Sequence, residues 1–355
     1  MSRFFSEKYS SLTPYVPGEQ PKQMQYVKLN TNESPFAPPQ SVVEAAKVDA
    51  EKLQLYSDPE SSVLTEKTAK MLGVKKTQVL MTNGSDEALN FAFMAFCDES
   101  NPIVFPDISY GFYPVFAQLN GIPYQTMALK EDFSVDYRDY VGIGKNIVIA
   151  NPNAPTGLAL TRAQVEEIVK SNPDNVVIID EAYVDFGGES CVLLIDKYDN
   201  LLITQTFSKS RSLAGARLGF AVGNEKLIAD LNTIKYSTNP YNVNRMTAAA
   251  GYAALCATDW FENNRQTIIQ NREYTTEELR KLGFTVLDSK TNFVFAKSDK
   301  VSGKTLYEGL KEKGVLVRLF NVERIRNFVR ITIGTKEQMD VLLQKTAEIL
   351  EEASK

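Results

Sequence analysis

Short runs of almost unbroken apolar residues recur along the first two-thirds of the chain. Val79-Leu80-Met81, Ile147-Val148-Ile149-Ala150, Val176-Val177-Ile178-Ile179 and Leu201-Leu202-Ile203 are four of them. A strand that is apolar on both faces must be covered on both faces, as in a parallel sheet between layers of helices. Helical spacing of apolar residues fills several of the intervals, including Asp86 to Phe96 and Thr161 to Lys170. Thr161-Arg162-Ala163-Gln164 has capping-box spacing and marks a helix start. The pattern predicts an α/β fold: a large domain with a mainly parallel sheet flanked by helices, plus a smaller α+β domain.

The smaller domain is read from a change of rhythm after about Tyr241. Long helical patterns, Asn244 to Ala257 and Phe261 to Leu282, precede strand-like Phe293-Val294-Phe295, Leu316-Val317-Arg318 and Phe328 to Ile333. Thr335-Lys336-Glu337-Gln338 then caps a last helix. The first 40 residues are rich in Pro, Ser, Asn and Gln and read as an extended arm. The expected organisation is an arm over 1–40, a large domain over 41–240 and a small C-terminal domain over 241–355.

Composition narrows the chemistry. At 355 residues the chain exceeds what one hydrophobic core usually serves. A formal net charge of −5 offers no footprint for a phosphate backbone, so no nucleic-acid partner is expected. No stretch reaches the ~20 apolar residues of a membrane helix, and no signal-peptide pattern opens the chain, so a cytoplasmic protein is expected. Three scattered cysteines make no metal-ligand or disulfide framework. There is no histidine at all. That excludes imidazole bases, Ser-His-Asp systems and H-E-x-x-H zinc sites. Proton transfers must fall to Lys, Tyr, Asp, Glu or a cofactor.

Three signals stand at predicted strand ends, where open α/β sheets hold their ligands. Thr82-Asn83-Gly84-Ser85-Asp86-Glu87 leaves a strand and opens a helix, so free N–H groups at Gly84, Ser85 and Asp86 suit a phosphate, although ordinary capped turns look the same. Lys209 in Thr206-Phe207-Ser208-Lys209 follows another strand, with hydroxyls beside it and Arg217 eight residues on. Such a lysine suits a Schiff base near a bound phosphate. Asp180 ends a third, very apolar strand and needs a cation or donor there. A phosphate, an aldehyde and a protonated ring nitrogen are the parts of one molecule, pyridoxal 5'-phosphate.

With these pieces in place the chain resembles the fold-type I pyridoxal-phosphate aminotransferases and, within them, is most similar to the histidinol-phosphate aminotransferases. The resemblance is carried by Asn30-Thr31-Asn32-Glu33, Tyr56-Ser57-Asp58-Pro59, Asn83 to Glu87, Asn151 to Gly157, Asp180 to Tyr183, Thr206 to Gly219, Pro240-Tyr241-Asn242 and Val329 to Thr335. It implies transfer of an amino group between L-glutamate and imidazole acetol phosphate, giving L-histidinol phosphate and 2-oxoglutarate. Lys209 would carry the cofactor and shuttle the proton, Asp180 would pair with the ring nitrogen, and Tyr183 would bind the ring 3′-oxygen. Tyr110 would stack on the ring. The phosphate would take Ser85, Asp86, Thr206, Ser208 and Arg217. Tyr56 would reach the cofactor of a partner subunit, implying a homodimer with shared active sites. Arg330 would grip a carboxylate, Arg318 a substrate phosphate, and Tyr15 and Asn32 would line the substrate.

One position departs from the class. Ala154 stands where the class has an asparagine donating to the ring 3′-oxygen. Either Asn153 reaches in, or Tyr183 holds that oxygen alone. Aromatic aminotransferases and threonine-phosphate decarboxylases share the architecture, and the sequence does not separate the substrates.

Overall fold

The structure is a computed structural model that describes residues 2–21 and 24–353. Thirteen strands run β1 (Val27–Lys28), β2 (Val79–Thr82), β3 (Ile103–Pro106), β4 (Tyr124–Met127), β5 (Asn146–Ala150), β6 (Val177–Asp180), β7 (Leu201–Thr206), β8 (Gly219–Gly223), β9 (Phe284–Val286), β10 (Phe293–Ser298), β11 (Val315–Leu316), β12 (Arg318–Leu319) and β13 (Phe328–Thr332).

Seven of them form one sheet in the order β2-β8-β7-β6-β5-β3-β4. All are parallel except β8, which runs against both neighbours. The apolar runs explain this sheet directly. Alternate residues face opposite sides: Ile147, Ile149, Val177, Ile179, Leu201 and Ile203 join one core, while Val148, Ile178 and Leu202 join the other. Helices cover both faces, so each run is apolar throughout.

A separate antiparallel sheet, β12-β13-β10-β9, packs through Val294, Ala296, Val329 and Ile331 against the last helix, Lys336–Glu352. The Thr335 hydroxyl accepts from Gln338 N and starts that helix as its spacing predicts. The run Leu316 to Arg318, read as a single strand, is divided. Val315–Leu316 pairs in parallel with β1, and Arg318–Leu319 pairs with β13. The arm supplies β1, and Leu29 just after it is buried in the core of the smaller sheet. The other described residues of the arm are irregular apart from one short 3-10 turn at Glu7–Tyr9 and Gln40, which opens the helix Gln40–Ala50.

The carboxyl ends of β5, β6 and β7 lie side by side, with Ala150 opposite Asp180 and Asp180 opposite Thr204. Because β8 is reversed, Thr206 also pairs with Gly219 at that edge. Everything singled out at the large sheet's strand ends therefore meets in one place.

Candidate active site

A cavity of about 330 Å³ opens over these strand ends. Its walls include Ser85, Asp86, Tyr110, Asp180, Tyr183, Thr206, Ser208, Lys209 and Arg217. The anion end is shaped by two glycines. A Cβ on Gly219 would sit 2.5 Å from Ser85 N, and one on Gly84 (φ +78°) would sit 2.7 Å from an Arg217 Nη. Only glycine lets a free helix N–H and a guanidinium share this corner. The helix Ser85–Phe96 starts here, and Asp86 Oδ2 holds Arg217 Nη2 at 2.8 Å. Thr206 Oγ1 and Ser208 Oγ lie 3.0 Å apart at the same end.

Asp180 is buried, with Oδ1 accepting from Thr204 Oγ1 (3.2 Å) and Oδ2 from Tyr113 OH (3.1 Å). Burial pushes its carboxyl up to about 6, and the Tyr113 bond opposes the rise. Such a group favours the native state while protonated, a benefit lost as pH rises from about 4 through about 6. Glu181 follows the same sign, raised by burial to about 7. The cofactor-free protein is therefore expected to lose on the order of 3 kcal/mol of stability over that window through Asp180. Denaturant melts of wild type and Asp180→Asn from pH 4 to 8 check this; the variant's curve should be flatter. An equal slope in both would locate the effect elsewhere.

Lys209 Nζ points into the cavity, 3.5 Å from Thr31 O and 5.8 Å from the Tyr183 ring centroid. Tyr110 OH donates to Asp86 Oδ1 at 2.7 Å, which holds the ring edge-on to Tyr113. Burial, then the Asp86 charge, pushes the Tyr110 phenol well above its ordinary value, so it stays neutral.

A second cavity, about 400 Å³, adjoins the first through Lys209, Tyr110 and Tyr183 and is lined by Tyr15, Asn32, Arg318 and Arg330. Arg330 is half-buried, its guanidinium over the rings of Phe293 and Phe320 (5.3 and 5.5 Å). Its Nη2 donates to Asn30 O at 3.1 Å and its Nε has no partner among the described residues. Burial pulls its pKa down, the direction of a cation without a counter-ion. Arg318 is occupied differently. It donates to Val16 O (3.0 Å) and Pro17 O (3.2 Å), holding the arm across the cavity while Tyr15 stacks on Phe112 at 4.3 Å.

Three expected residues stand outside these cavities' walls: Gly84, whose N–H is taken by Thr82 O (3.0 Å) and which acts by leaving room for Arg217, Asn153 and Tyr56. Asn153 spends both amide hydrogens on Ile108 O (3.0 Å) and Thr156 Oγ1 (3.1 Å), and its carbonyl accepts from Ser109. It has no N–H left for a ring oxygen, so of the two candidates Tyr183 remains, its hydroxyl accepting from Asn32 Nδ2 at 2.9 Å. Tyr56 is 78% exposed and stacks on Tyr241, away from this chain's own cavity. Tyr113 and Thr204, which hold Asp180, were not singled out. Tyr113 is the first residue of the helix Tyr113–Asn120 and Tyr110 lies in the turn before it, so no helical spacing in the sequence ties Tyr113 to Asp180.

The donor set suits pyridoxal phosphate on chemical grounds: an amine, a buried carboxylate, an aromatic wall and a glycine-shaped anion corner in one cavity. No described helix is long and apolar enough to cross a membrane.

Comparison with known proteins agrees with this geometry. The family model "Aminotransferase class I and II" matches residues 24–345. A histidinol-phosphate aminotransferase of Brachyspira hyodysenteriae is 48% identical, covering 99% of both chains. One from Clostridium beijerinckii is 47% identical over 99% of this chain and 98% of its own. The structure of the Sinorhizobium meliloti histidinol-phosphate aminotransferase in complex with pyridoxal-5'-phosphate superposes with a TM-score of 0.83. It is 23% identical over 92% of each chain and shows the shared fold. This chain belongs to the class I and II aminotransferases, in the branch that holds the histidinol-phosphate aminotransferases.

Proposed function

We propose that this protein is a pyridoxal-phosphate-dependent transaminase exchanging an amino group between L-glutamate and imidazole acetol phosphate, a step of histidine biosynthesis. One observation carries the reading: Lys209, Asp180 and the Ser85–Arg217 corner shaped by Gly84 converge on one cavity, and Arg330, with Nε free of any partner among the described residues, stands in the adjoining one.

When bound, pyridoxal phosphate supplies an aldehyde for the amino group and a ring that withdraws electrons from the carbon being deprotonated. Ser85 N–H, Thr206, Ser208 and Arg217 would hold the phosphate, with Asp86 steadying Arg217. Asp180, kept in place by Tyr113 and Thr204, would hold a proton on the ring nitrogen. Tyr183 would bind the ring oxygen without help from Asn153, and Tyr110 would cover one ring face. Lys209 would move the proton at the substrate's Cα, which suits a chain without histidine. Arg330 offers a planar fork to the substrate's anionic group. The arm, with Tyr15 at its inner side, would exclude water over the substrate.

The two separate sheets support a large and a small domain, but the boundary expected at 241 falls too early: Val243, Ala250, Ala254 and Leu255, in and just before the helix Arg245–Cys256, lie in the core of the large sheet, so that helix goes with the large domain. A homodimer is the assembly we propose. Tyr56 is exposed outside its own cavity's walls, as are Leu53 and Leu55 in the same segment, and exposed Val48, Val63 and Tyr252 line one groove with neighbouring Ser57, an apolar surface that a second copy would cover. A cytoplasmic location accords with the absence of a membrane-crossing helix among the described residues.

The test is a single half-reaction. Cofactor-loaded protein mixed with L-histidinol phosphate and no keto acid is expected to convert the bound cofactor from its aldehyde to its amine form, read by absorbance. Conversion by L-glutamate alone would keep the reaction class and discard the substrate.

A further inference from the structure

The second cavity is lined by three cations, Lys209, Arg318 and Arg330, and by a single carboxylate, Asp107. Asp107 is the first residue after β3. It is firmly placed: its N–H donates to Met127 O (2.8 Å), and its Oδ1 accepts from Leu129 N (2.9 Å). The other oxygen is the notable one. Oδ2 lies 3.7 Å from Arg324 Nη1, an ion pair beyond hydrogen-bond length. Arg324 itself is turned toward Lys130 O and lies over the Phe133 ring at 5.2 Å. One oxygen of an anchored carboxylate on the wall of this cavity is thus left without a hydrogen-bond donor among the described residues.

The substrates proposed above differ at the end away from the amino group. Histidinol phosphate ends in an imidazole, which carries a ring N–H; glutamate ends in a second carboxylate, which carries none. We infer that Asp107 is a specificity-determining residue that accepts the imidazole N–H, with Arg324 offsetting its charge when glutamate occupies the same space. The inference rests on the proposed reaction. Asn30 Oδ1 is another unpaired acceptor on this wall, but its backbone carbonyl already takes Arg330, so it stands at the anion-gripping end. Asp107 is the acceptor left for the other end. A carboxylate is also the stronger choice, because a hydrogen bond to a charged group is worth more than one between neutral groups.

The experiment compares cofactor-loaded wild type, Asp107→Asn and Asp107→Ala on three amino donors, each half-reaction followed separately. The donors are L-histidinol phosphate, L-phenylalaninol phosphate (similar in shape but with no ring N–H) and L-glutamate. Wild type is expected to prefer histidinol phosphate over the phenyl compound by about 10- to 100-fold in kcat/KM. Asp107→Ala should erase that preference, and Asp107→Asn, which keeps a neutral acceptor, should retain part of it. The KM for glutamate should stay level or fall, since a like charge is removed. Calorimetric binding of histidinol phosphate to the amine-loaded form should weaken in parallel. A preference that survives in Asp107→Ala overturns the inference. So does an equal loss on all three donors, which would make Asp107 merely structural. A loaded wild type that uses glutamate and neither phosphate overturns the substrate reading and this inference with it, and that result appears before any variant is made.

Discussion

Replacing Lys209 with alanine is expected to slow amino-group transfer by more than about 10⁴-fold. The chain has no histidine to substitute as a base. Near Lys209, Tyr110 is held neutral by burial and by the Asp86 charge, and Asp180 is already committed to Tyr113 and Thr204. Neither of these two groups is therefore poised as a second proton carrier at the substrate carbon. The fold should not notice the change, because the amine's bond to the protein is a long one to Thr31 O. Single-turnover kinetics with L-glutamate, beside a thermal melt, separate the two effects. An unmelted variant that still transfers within 100-fold of wild type would refute the assignment.

Arg330→Met is expected to lower kcat/KM for both amino donors by about 10²–10³-fold while leaving the protein as stable or more so. The loss follows from removing a planar two-pronged anion grip, whose breakage in a buried setting costs about 3–5 kcal/mol. The stability gain follows from the surroundings. This cation is half-buried against two aromatic rings with Nε buried and unpaired, and its pKa is pulled down by desolvation. An apolar chain of similar length fits such a place at no desolvation cost, and replacement of buried charge by apolar groups is often neutral or stabilising by about 1–4 kcal/mol. Steady-state kinetics and denaturant melts check both halves. Arg330→Lys should recover little activity, since an ammonium cannot reproduce the fork. A variant that loses stability along with activity would mean that Arg330 holds the fold rather than the substrate.

Much of the site was readable because its parts sit where local sequence is informative. Asp180 ends an apolar strand, Lys209 follows another by three residues, and the Gly84–Ser85 turn opens a helix. The topology rule that strand ends converge turns three separate hints into one ligand. What could not be read depends on partners distant in sequence. Leu316 to Arg318 looks like one strand, yet its two ends answer to β1 near residue 27 and to β13 near residue 330. Local alternation carries no record of which neighbour a strand will find. Tyr124–Met127 is an edge strand with mostly exposed side chains, so no apolar run announces it. Asn153 shows the same limit at the site: its residue type suits a ring oxygen, but Ile108 O and Thr156 take its hydrogens first. Arg318 was expected on a substrate phosphate and in the structure grips the arm instead, because Val16 and Pro17 bring unpaired carbonyls to it.

The reversed strand β8 has one more effect. Because it runs back against β7, the chain from Phe207 to Leu218 leaves and re-enters the same sheet edge, tied at its neck by Phe207 N to Leu218 O at 2.9 Å. Lys209 and Arg217 are both on that loop, whereas Arg330 arrives from the other sheet. Proton carrier and phosphate anchor therefore share one rigid frame, and the substrate grip belongs to another. Any displacement between the two sheets would therefore act on the hold on an amino donor and leave the spacing of Lys209 and Arg217 unchanged.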